Sequence, residues 1–167
     1  HRCPVGYEGL IRAQTAELLP CSPLDLFSEP ETNSEYLVLD RVCRSVHVQN
    51  FSQQQTNNEW LFINLNSQCV ATEKPSLGFM SNLFSSSGIA PERIVIEILE
   101  SEISDRVYLQ ELIAHFRSMG CLIAIDDFGA GHSNFDRIWE LEPDIVKIDR
   151  SLIQRAALST RIERILT

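Results

Sequence analysis

One stretch of the chain reads Leu122-Ile123-Ala124-Ile125-Asp126-Asp127-Phe128-Gly129-Ala130-Gly131, an apolar run that stops at two adjacent carboxylates and then turns. The run is typical of a buried β-strand, and its glycines supply the backbone conformations that a sharp turn requires. Because an unpaired charge is costly at a buried position, Asp126 and Asp127 need a positive partner there. A hard divalent cation is one such partner. The strand would then have to end between the two residues, since successive strand side chains point to opposite sides. The alternative is an acidic turn that caps the next helix.

The composition is that of a globular protein with an acidic surface. The 167 residues carry 23 acidic and 14 basic side chains, which gives a net charge of −9. This balance excludes the clustered Lys and Arg that duplex nucleic acid requires. A small anionic ligand stays possible, because a bound cation inverts the local field. The five cysteines are odd in number and lack CxxC spacing, which favours reduced thiols in the cytoplasm over a zinc site.

Strand-like and helix-like runs alternate along the whole chain. Apolar, β-branched runs predict five strands, and apolar residues at helical spacing predict helices between them. Residues 13–33 are predicted to form a loop, and Gly120 is predicted to end the helix that contains Leu109 and Phe116. The predicted strands are residues 5–12, 60–66, 93–100, 122–126 and 144–149. The predicted helices are residues 34–51, 75–86, a helix that contains Leu109 to Phe116 and has its N-cap at Ser104 or Asp105, residues 135–141 and a last one from near Ser151.

Polar side chains lie at or near the carboxyl end of every predicted strand. A parallel α/β sheet is expected from the buried strands. In a barrel of such units the active site lies at the carboxyl ends of the strands, whereas a doubly wound sheet concentrates ligand contacts at one switch point. Polar groups on five successive strands therefore favour the barrel. They are Glu8 and Arg12, Asn64, Glu97 and Glu100, Asp126 and Asp127, and Lys147 and Asp149.

Five short motifs carry a resemblance to a known family. Residues 8–12 (EGLIR), 63–66 (INLN), 97–101 (EILES), 126–131 (DDFGAG) and 147–149 (KID) come in the order and at about the spacing of the EAL domain. The resemblance implies a TIM-like barrel whose first strand is antiparallel to the rest. It also implies that residues 1–167 are the central portion of that domain, with about five of eight strands, the first strand preceding His1 and the last two following Thr167.

The same resemblance implies an activity, the hydrolysis of cyclic di-GMP to linear pGpG with Mg²⁺ or Mn²⁺ in a two-metal site. Lys147 matches the lysine that orients the attacking water, and Glu100 matches a glutamate that holds the loop after Asp127. Arg12 matches the arginine on substrate phosphate, and Asp149, near the metals, is counted with it as a substrate-binding residue. The matching metal ligands are Glu8, Asn64, Glu97, Asp126 and Asp127.

Several positions depart from the family pattern. Gly9 replaces the alanine of the family's name, Leu99 replaces a threonine, Ala130 replaces a threonine and His132 replaces a tyrosine. A non-catalytic cyclic di-GMP receptor or a signalling scaffold therefore stays open beside the enzyme, although receptors of this family generally lose metal ligands and this chain keeps them. Schiff-base chemistry on Lys147 is disfavoured, because neighbouring carboxylates would raise its pKa.

The resemblance also sets expectations about the parent protein. It implies a homodimer formed through the EAL domain and a flanking sensory or GGDEF domain. The domain is expected in the cytoplasm, while other regions of the parent are free to anchor it to a membrane. Residues 1–167 alone are expected to be inactive, since five strands do not close a barrel.

Overall fold

The computed structural model describes residues 4–54, 58–65, 77–99, 106–130 and 140–157. Strands and helices alternate along these segments. The elements are β1 (Gly6–Glu8), β2 (Ala13–Gln14), β3 (Pro20–Cys21), α1 (Pro23–Ser28), α2 (Asn33–Gln53), β4 (Trp60–Leu65), α3 (Leu77–Ser87), a 3-10 turn (Pro91–Arg93), β5 (Ile94–Leu99), α4 (Arg106–Ser118), β6 (Leu122–Phe128), β7 (Ile145–Ile148) and α5 (Arg150–Ala157).

Five of the strands form one parallel sheet in the order β1-β4-β5-β6-β7. Each strand therefore lies beside the next strand of the sheet along the chain, and among these five the order never reverses as it would in a doubly wound sheet. The sheet curls as part of a barrel wall with helices packed on one face, which confirms the predicted α/β class. A separate antiparallel ribbon pairs β2 with β3.

Apolar side chains cover both faces of this sheet, as expected for parallel strands rich in Ile and Val. On the face that meets the helices, Ile63, Ile96 and Ile123 are at most 2% exposed. They pack into the main core with residues of α2, α3 and α4. The opposite face carries a smaller apolar cluster made of Phe62, Val95 and Ala124, with Trp60, Leu122 and Ile145 packed against it.

Sequence signals account for the helix ends that the structure describes. At the start of α2, the Thr32 hydroxyl accepts a hydrogen bond from the Glu35 amide, and the Glu35 carboxylate accepts one from the Thr32 amide. This capping box satisfies two amides that the helix itself leaves without partners. Gly120, with φ +98°, follows α4 in the left-handed conformation, so its predicted role as the helix terminator is confirmed.

Three predicted boundaries are wrong. The first predicted strand, residues 5–12, is reduced to Gly6–Glu8, because only these residues pair with β4. Residues 13–33 contain β2, β3 and α1 rather than a plain loop. The start of α1 was signalled by Ser22, whose hydroxyl caps the Asp25 amide. The predicted strand end at Asp126 is also wrong, because β6 continues through a bulge to Phe128 and pairs again there.

The buried face of α2 differs from its apolar stripe. Val38, Val42 and Val46, which are apolar residues at helical spacing, are 58%, 53% and 37% exposed. The helix instead buries Asp40 and Arg44, which form an ion pair one turn apart and are 4% and 3% exposed. A buried pair of this kind needs its own partners, so α2 presents two charged side chains to the interior beside its buried apolar residues Val48 and Phe51.

Some predictions fall on residues that the structure does not describe. These are Glu100, the N-cap candidates Ser104 and Asp105, Asn66, and residues 135–139 of the predicted short helix. Within the described segments, no helix has the length and apolar character needed to cross a membrane.

Candidate metal centre at the carboxyl edge of the sheet

The alternation of strand side chains places the predicted site residues on one face of the sheet. Phe62, Val95 and Ala124 form the apolar cluster on that face. The residue two positions later on each strand points the same way, which adds Asn64, Glu97 and Asp126. The paired register aligns Asn64 with Glu97 directly. The face thus changes from apolar to ionisable toward the carboxyl ends of the strands.

Three carboxylates meet on this face around one ammonium group. One oxygen each from Glu8, Glu97 and Asp126 lies within 4.8 Å of the others. The Nζ atom of Lys147 is 3.3 Å from Glu8 Oε2, 2.5 Å from Glu97 Oε1 and 3.0 Å from Asp126 Oδ2. Asn64 donates from Nδ2 to Glu8 Oε1 at 3.2 Å. Side chains from β1, β4, β5, β6 and β7 therefore form a single cluster.

Glu97 is the buried member of the cluster, at 1% exposure. Its burial raises its pKa to about 7, and the charges of Glu8 and Asp126 add to the shift against the opposing effect of Lys147. No hydrogen-bond donor among the described residues reaches Glu97 Oε2. A buried carboxylate oxygen without a donor is destabilising, and a cation at this point would satisfy it.

Lys147 is held in its charged form. Burial alone would lower the pKa of Lys147, but hydrogen bonds and ion pairs with Glu97 and Asp126 outweigh burial and raise it. A lysine that stays protonated is a poor amine nucleophile, as the sequence indicated. It is well suited to act as a fixed positive charge and a hydrogen-bond donor.

Asp127 is brought to the edge by the bulge in β6. Its φ is +53°, in the left-handed region that a non-glycine residue adopts only under constraint. Its amide donates to Asp126 Oδ1 at 2.9 Å. Burial raises the pKa of Asp127, and the nearby charges of Asp126 and Asp149 raise it further. The two aspartates thus lie close together although the strand does not end between them, because the bulge redirects the second side chain.

The other predicted site residues lie outside the carboxylate cluster. Arg12 is exposed, forms no ion pair within the described segments, and donates from Nη1 to its neighbour Ile11 O. Asp149 caps α5, where its Oδ1 accepts from the Ser151 amide at 2.8 Å and from the Ser151 hydroxyl. The capping hydrogen bonds from Ser151 lower the pKa of Asp149. Glu100 lies outside the described residues.

The donor set fits a hard divalent cation. Carboxylate oxygens from three strands converge, an amide side chain adjoins them, and one buried oxygen lacks a donor within the described residues. Oxygen ligands of this kind suit Mg²⁺ and Mn²⁺ rather than softer metals. Glu8, Glu97 and Asp126 would hold such an ion, with Asn64 and Asp127 beside them.

Comparison with known proteins agrees with this geometry. The family model described as EAL domain matches residues 1–167, the whole chain. The chain belongs to the EAL domain family. The cyclic di-GMP phosphodiesterase RocR of Pseudomonas aeruginosa is 35% identical to this EAL domain over 83 residues, which are 49% of this chain and 21% of RocR. The chain thus spans about a fifth of that curated relative.

Two solved structures resemble the EAL domain. The manganese and cyclic di-GMP complex of BlrP1 from Klebsiella pneumoniae has a TM-score of 0.82 and 24% identity, over 96% of this chain and 40% of that one. At this identity the likeness shows the fold. The Bacillus subtilis YkuI protein, in complex with cyclic di-GMP and calcium, has a TM-score of 0.70 and 28% identity, over 95% of this chain and 43% of that one.

One departure from the EAL pattern has a structural explanation. A Cβ atom on Gly9 would lie 2.7 Å from His47 Nδ1 and 2.8 Å from its Cγ. The imidazole of His47 therefore occupies the space that an alanine at position 9 requires. Burial lowers the pKa of His47, which keeps the ring neutral near pH 7. His47 was not predicted as a site residue, although Asp40, Arg44 and His47 follow helical spacing on α2.

These α2 residues line a cavity beside the metal centre of the EAL domain. Its volume is about 240 Å³, and its lining includes both the buried Asp40–Arg44 pair and residues next to the metal centre. Arg12, Asn64 and Leu99 also line it. Arg12, which does not contact the carboxylates, therefore borders a cavity next to them.

Proposed function

We propose that this EAL domain hydrolyses cyclic di-GMP to linear pGpG, with two divalent cations, Mg²⁺ or Mn²⁺, held by the carboxyl edge of the sheet. The observation that carries the proposal is the convergence of Glu8, Glu97 and Asp126 around Lys147. A phosphodiester anion repels hydroxide, so its hydrolysis needs positive charge at the phosphate and a nucleophile generated at neutral pH. Paired divalent cations supply both.

The side chains have distinct roles in this proposal. Glu8, Asn64, Glu97, Asp126 and Asp127 hold the metals. Lys147, fixed by its ion pairs on the same face, orients the attacking water and adds a positive charge. Arg12 offers a planar pair of donors matched to a phosphate, and its place on the adjacent cavity suits one end of an extended dinucleotide. Glu100 holds the loop after Asp127, and Asp149 helps to bind the substrate near the metals.

The relatives support the choice of substrate. RocR is named a cyclic di-GMP phosphodiesterase, and the YkuI structure contains cyclic di-GMP and calcium. We propose that calcium also binds here without supporting turnover, because its larger and looser coordination places the nucleophile poorly. We further propose, from the family alone, that the parent protein is a homodimer with a flanking sensory or GGDEF domain and that this domain works in the cytoplasm.

Product analysis tests the proposal. The full-length parent protein is incubated with cyclic di-GMP and Mn²⁺, and the products are separated by chromatography. Wild type should yield pGpG. Lys147→Ala should lower kcat much more than it raises KM, since Lys147 acts on the attacking water rather than on substrate binding. Glu111→Gln, an exposed change on α4, is the control and should behave as wild type.

The receptor alternative predicts the opposite result. Tight binding of cyclic di-GMP in the presence of Mn²⁺, with no product from wild type, would replace the enzyme by a receptor. Absence of binding as well would favour the scaffold.

A further inference from the structure

The turn that follows Asp126 and Asp127 is in contact with α5. Gly129 has φ +94°, and a Cβ atom on it would lie 2.6 Å from Leu152 Cδ2 and 3.3 Å from Leu152 Cβ. The side chain of Leu152 therefore packs directly on the bare Cα of Gly129. Any other residue type would be strained at this position, because the backbone conformation favours glycine and the Leu152 side chain would have to shift.

Hydrogen bonds join the same two segments. Arg155 donates from Nη2 to Gly129 O at 3.1 Å, and its Nε donates to Ser151 O at 3.2 Å. The guanidinium thus bridges α5 and the turn. At the start of the helix, the Asp149 amide donates to Phe128 O at 2.9 Å. The carbonyls of Phe128 and Gly129 are both held by the chain that follows β7.

These contacts fix a strained backbone beside the metal centre. Asp127 is in the left-handed region, and its carbonyl accepts a hydrogen bond from the Ala130 amide at 3.1 Å. A non-glycine residue keeps such a conformation only where its surroundings hold it. Among the described residues, the turn is held by the pairing of Phe128 with Ile148 and by the Asp149 amide. On the Gly129 side it is held by Leu152 and Arg155 together.

We propose that Arg155 and Leu152 are positioning residues for the metal centre, which set the direction of the Asp126 and Asp127 carboxylates by holding the turn at Gly129. The proposal rests on the proposed function for its metals and its substrate. Neither residue touches the carboxylates. Arg155 is exposed on α5, so replacing it removes the bridge without opening the core.

The test compares Arg155→Met with Arg155→Lys and with Arg150→Met in the full-length protein. Arg150 is an exposed arginine on the same helix, and its backbone hydrogen-bonds to the Asp149 cap. Calorimetry measures Mn²⁺ affinity, steady-state kinetics separates kcat from KM, and hydrogen exchange of metal-free protein follows the Ala130 amide. Arg155→Met should weaken Mn²⁺ binding by about ten- to a hundredfold, the usual effect of losing an outer support of a metal ligand.

The same variant should lower kcat while KM for cyclic di-GMP stays near the wild-type value, and excess Mn²⁺ should restore turnover. Its Ala130 amide should exchange faster than that of wild type. Arg155→Lys, which keeps one donor, should recover part of each loss, and Arg150→Met should match wild type.

Each failure has a distinct signature. Unchanged Mn²⁺ affinity together with unchanged exchange at Ala130 in Arg155→Met would overturn the positioning role. An equal loss of Mn²⁺ affinity in Arg150→Met would also overturn it, because the effect would then be one of charge. A wild type that makes no pGpG while Arg155→Met still exchanges faster at Ala130 would overturn the proposed function and leave the positioning role standing.

Discussion

Glu97 combines the deepest burial in the cluster with the largest consequence for metal binding. Burial and the charges of Glu8 and Asp126 favour the protonated form of Glu97, whereas Lys147 stabilises the carboxylate. An acid of this kind holds its proton until a cation displaces it, so the site is expected to bind metal and release a proton together.

Metal affinity should therefore depend on pH. Below about 7, the pKa of Glu97, the ion must displace a proton, so the apparent Mn²⁺ affinity should fall by up to about tenfold per pH unit as the pH is lowered. Above that value it should level off. Calorimetric titrations between about pH 5.5 and 8, the range in which such a group titrates, measure this pH dependence of the Mn²⁺ affinity. Glu97→Gln should bind weakly and with less pH dependence, and an affinity that is flat across the range in wild type would contradict the assignment.

Asp126 has a different role, because it contacts Lys147 and lies next to the bulge. Asp126→Asn keeps the shape but removes the charge, so Mn²⁺ affinity should fall by more than about tenfold. Titration calorimetry of this variant, with Glu111→Gln as a surface control of the same chemistry, decides the assignment. Equal binding by Asp126→Asn and wild type would remove Asp126 from the ligand set.

At the scale of the elements, Gly9, which follows β1, packs against His47 of α2. Gly9 follows Glu8, and its amide donates to Phe62 O at 2.9 Å. A methyl group at this position would collide with the imidazole. Gly9→Ala should therefore lower the free energy of unfolding by about 1–3 kcal/mol, the usual effect of overpacking, and should weaken Mn²⁺ binding through Glu8.

The double variant Gly9→Ala/His47→Ala tests the pairing. Removing the imidazole makes room for the methyl group, so the double variant should be more stable than the sum of the two single changes predicts, with a coupling of about 0.5–3 kcal/mol. Denaturant unfolding of wild type, both single variants and the double variant measures this. Additive effects would show that the two positions do not interact.

The elements also show what the sequence could and could not predict. The strands β4, β5 and β6 were predictable because apolar runs are buried on both faces. The clustering of Glu8, Glu97, Asp126 and Lys147 followed from the polar residue near each carboxyl end. The buried face of α2 was not predictable from its apolar stripe, since Val38 and Val42 are exposed while the Asp40–Arg44 pair is inside. A sequence pattern predicts that charged residues of a helix face solvent. A buried ion pair such as Asp40–Arg44 is evident only from the three-dimensional packing. The bulge at Asp127 and the contact of Leu152 with Gly129 depend on long-range packing in the same way.

At the scale of the whole molecule, the described sheet has β1 and β7 at its two edges. Both carry exposed apolar side chains, with Tyr7 41% and Ile148 40% exposed. An edge with unpaired backbone groups and apolar side chains favours association with other chains.

Residues 1–167 expressed alone should therefore associate or precipitate, and should not hydrolyse cyclic di-GMP. Light scattering and gel filtration measure the first expectation, and chromatography of products measures the second. The full-length protein under the same conditions is the control. A 19.0 kDa monomer that melts cooperatively and forms pGpG would contradict both expectations.

The order β1-β4-β5-β6-β7 also has a consequence for how the protein is made. Because each sheet neighbour is the next strand of the sheet along the chain, the sheet grows by one unit at a time as the ribosome releases the polypeptide. Glu8, Glu97 and Asp126 are then assembled before β7 delivers Lys147, so the like charges of Glu8 and Asp126 gather beside Glu97 while their counter-charge is still being synthesised. Addition of β7 to the nascent sheet should be favoured because Lys147 relieves this repulsion. Refolding of Lys147→Met should therefore be slower than that of wild type at low ionic strength. The difference should shrink as salt screens the carboxylates.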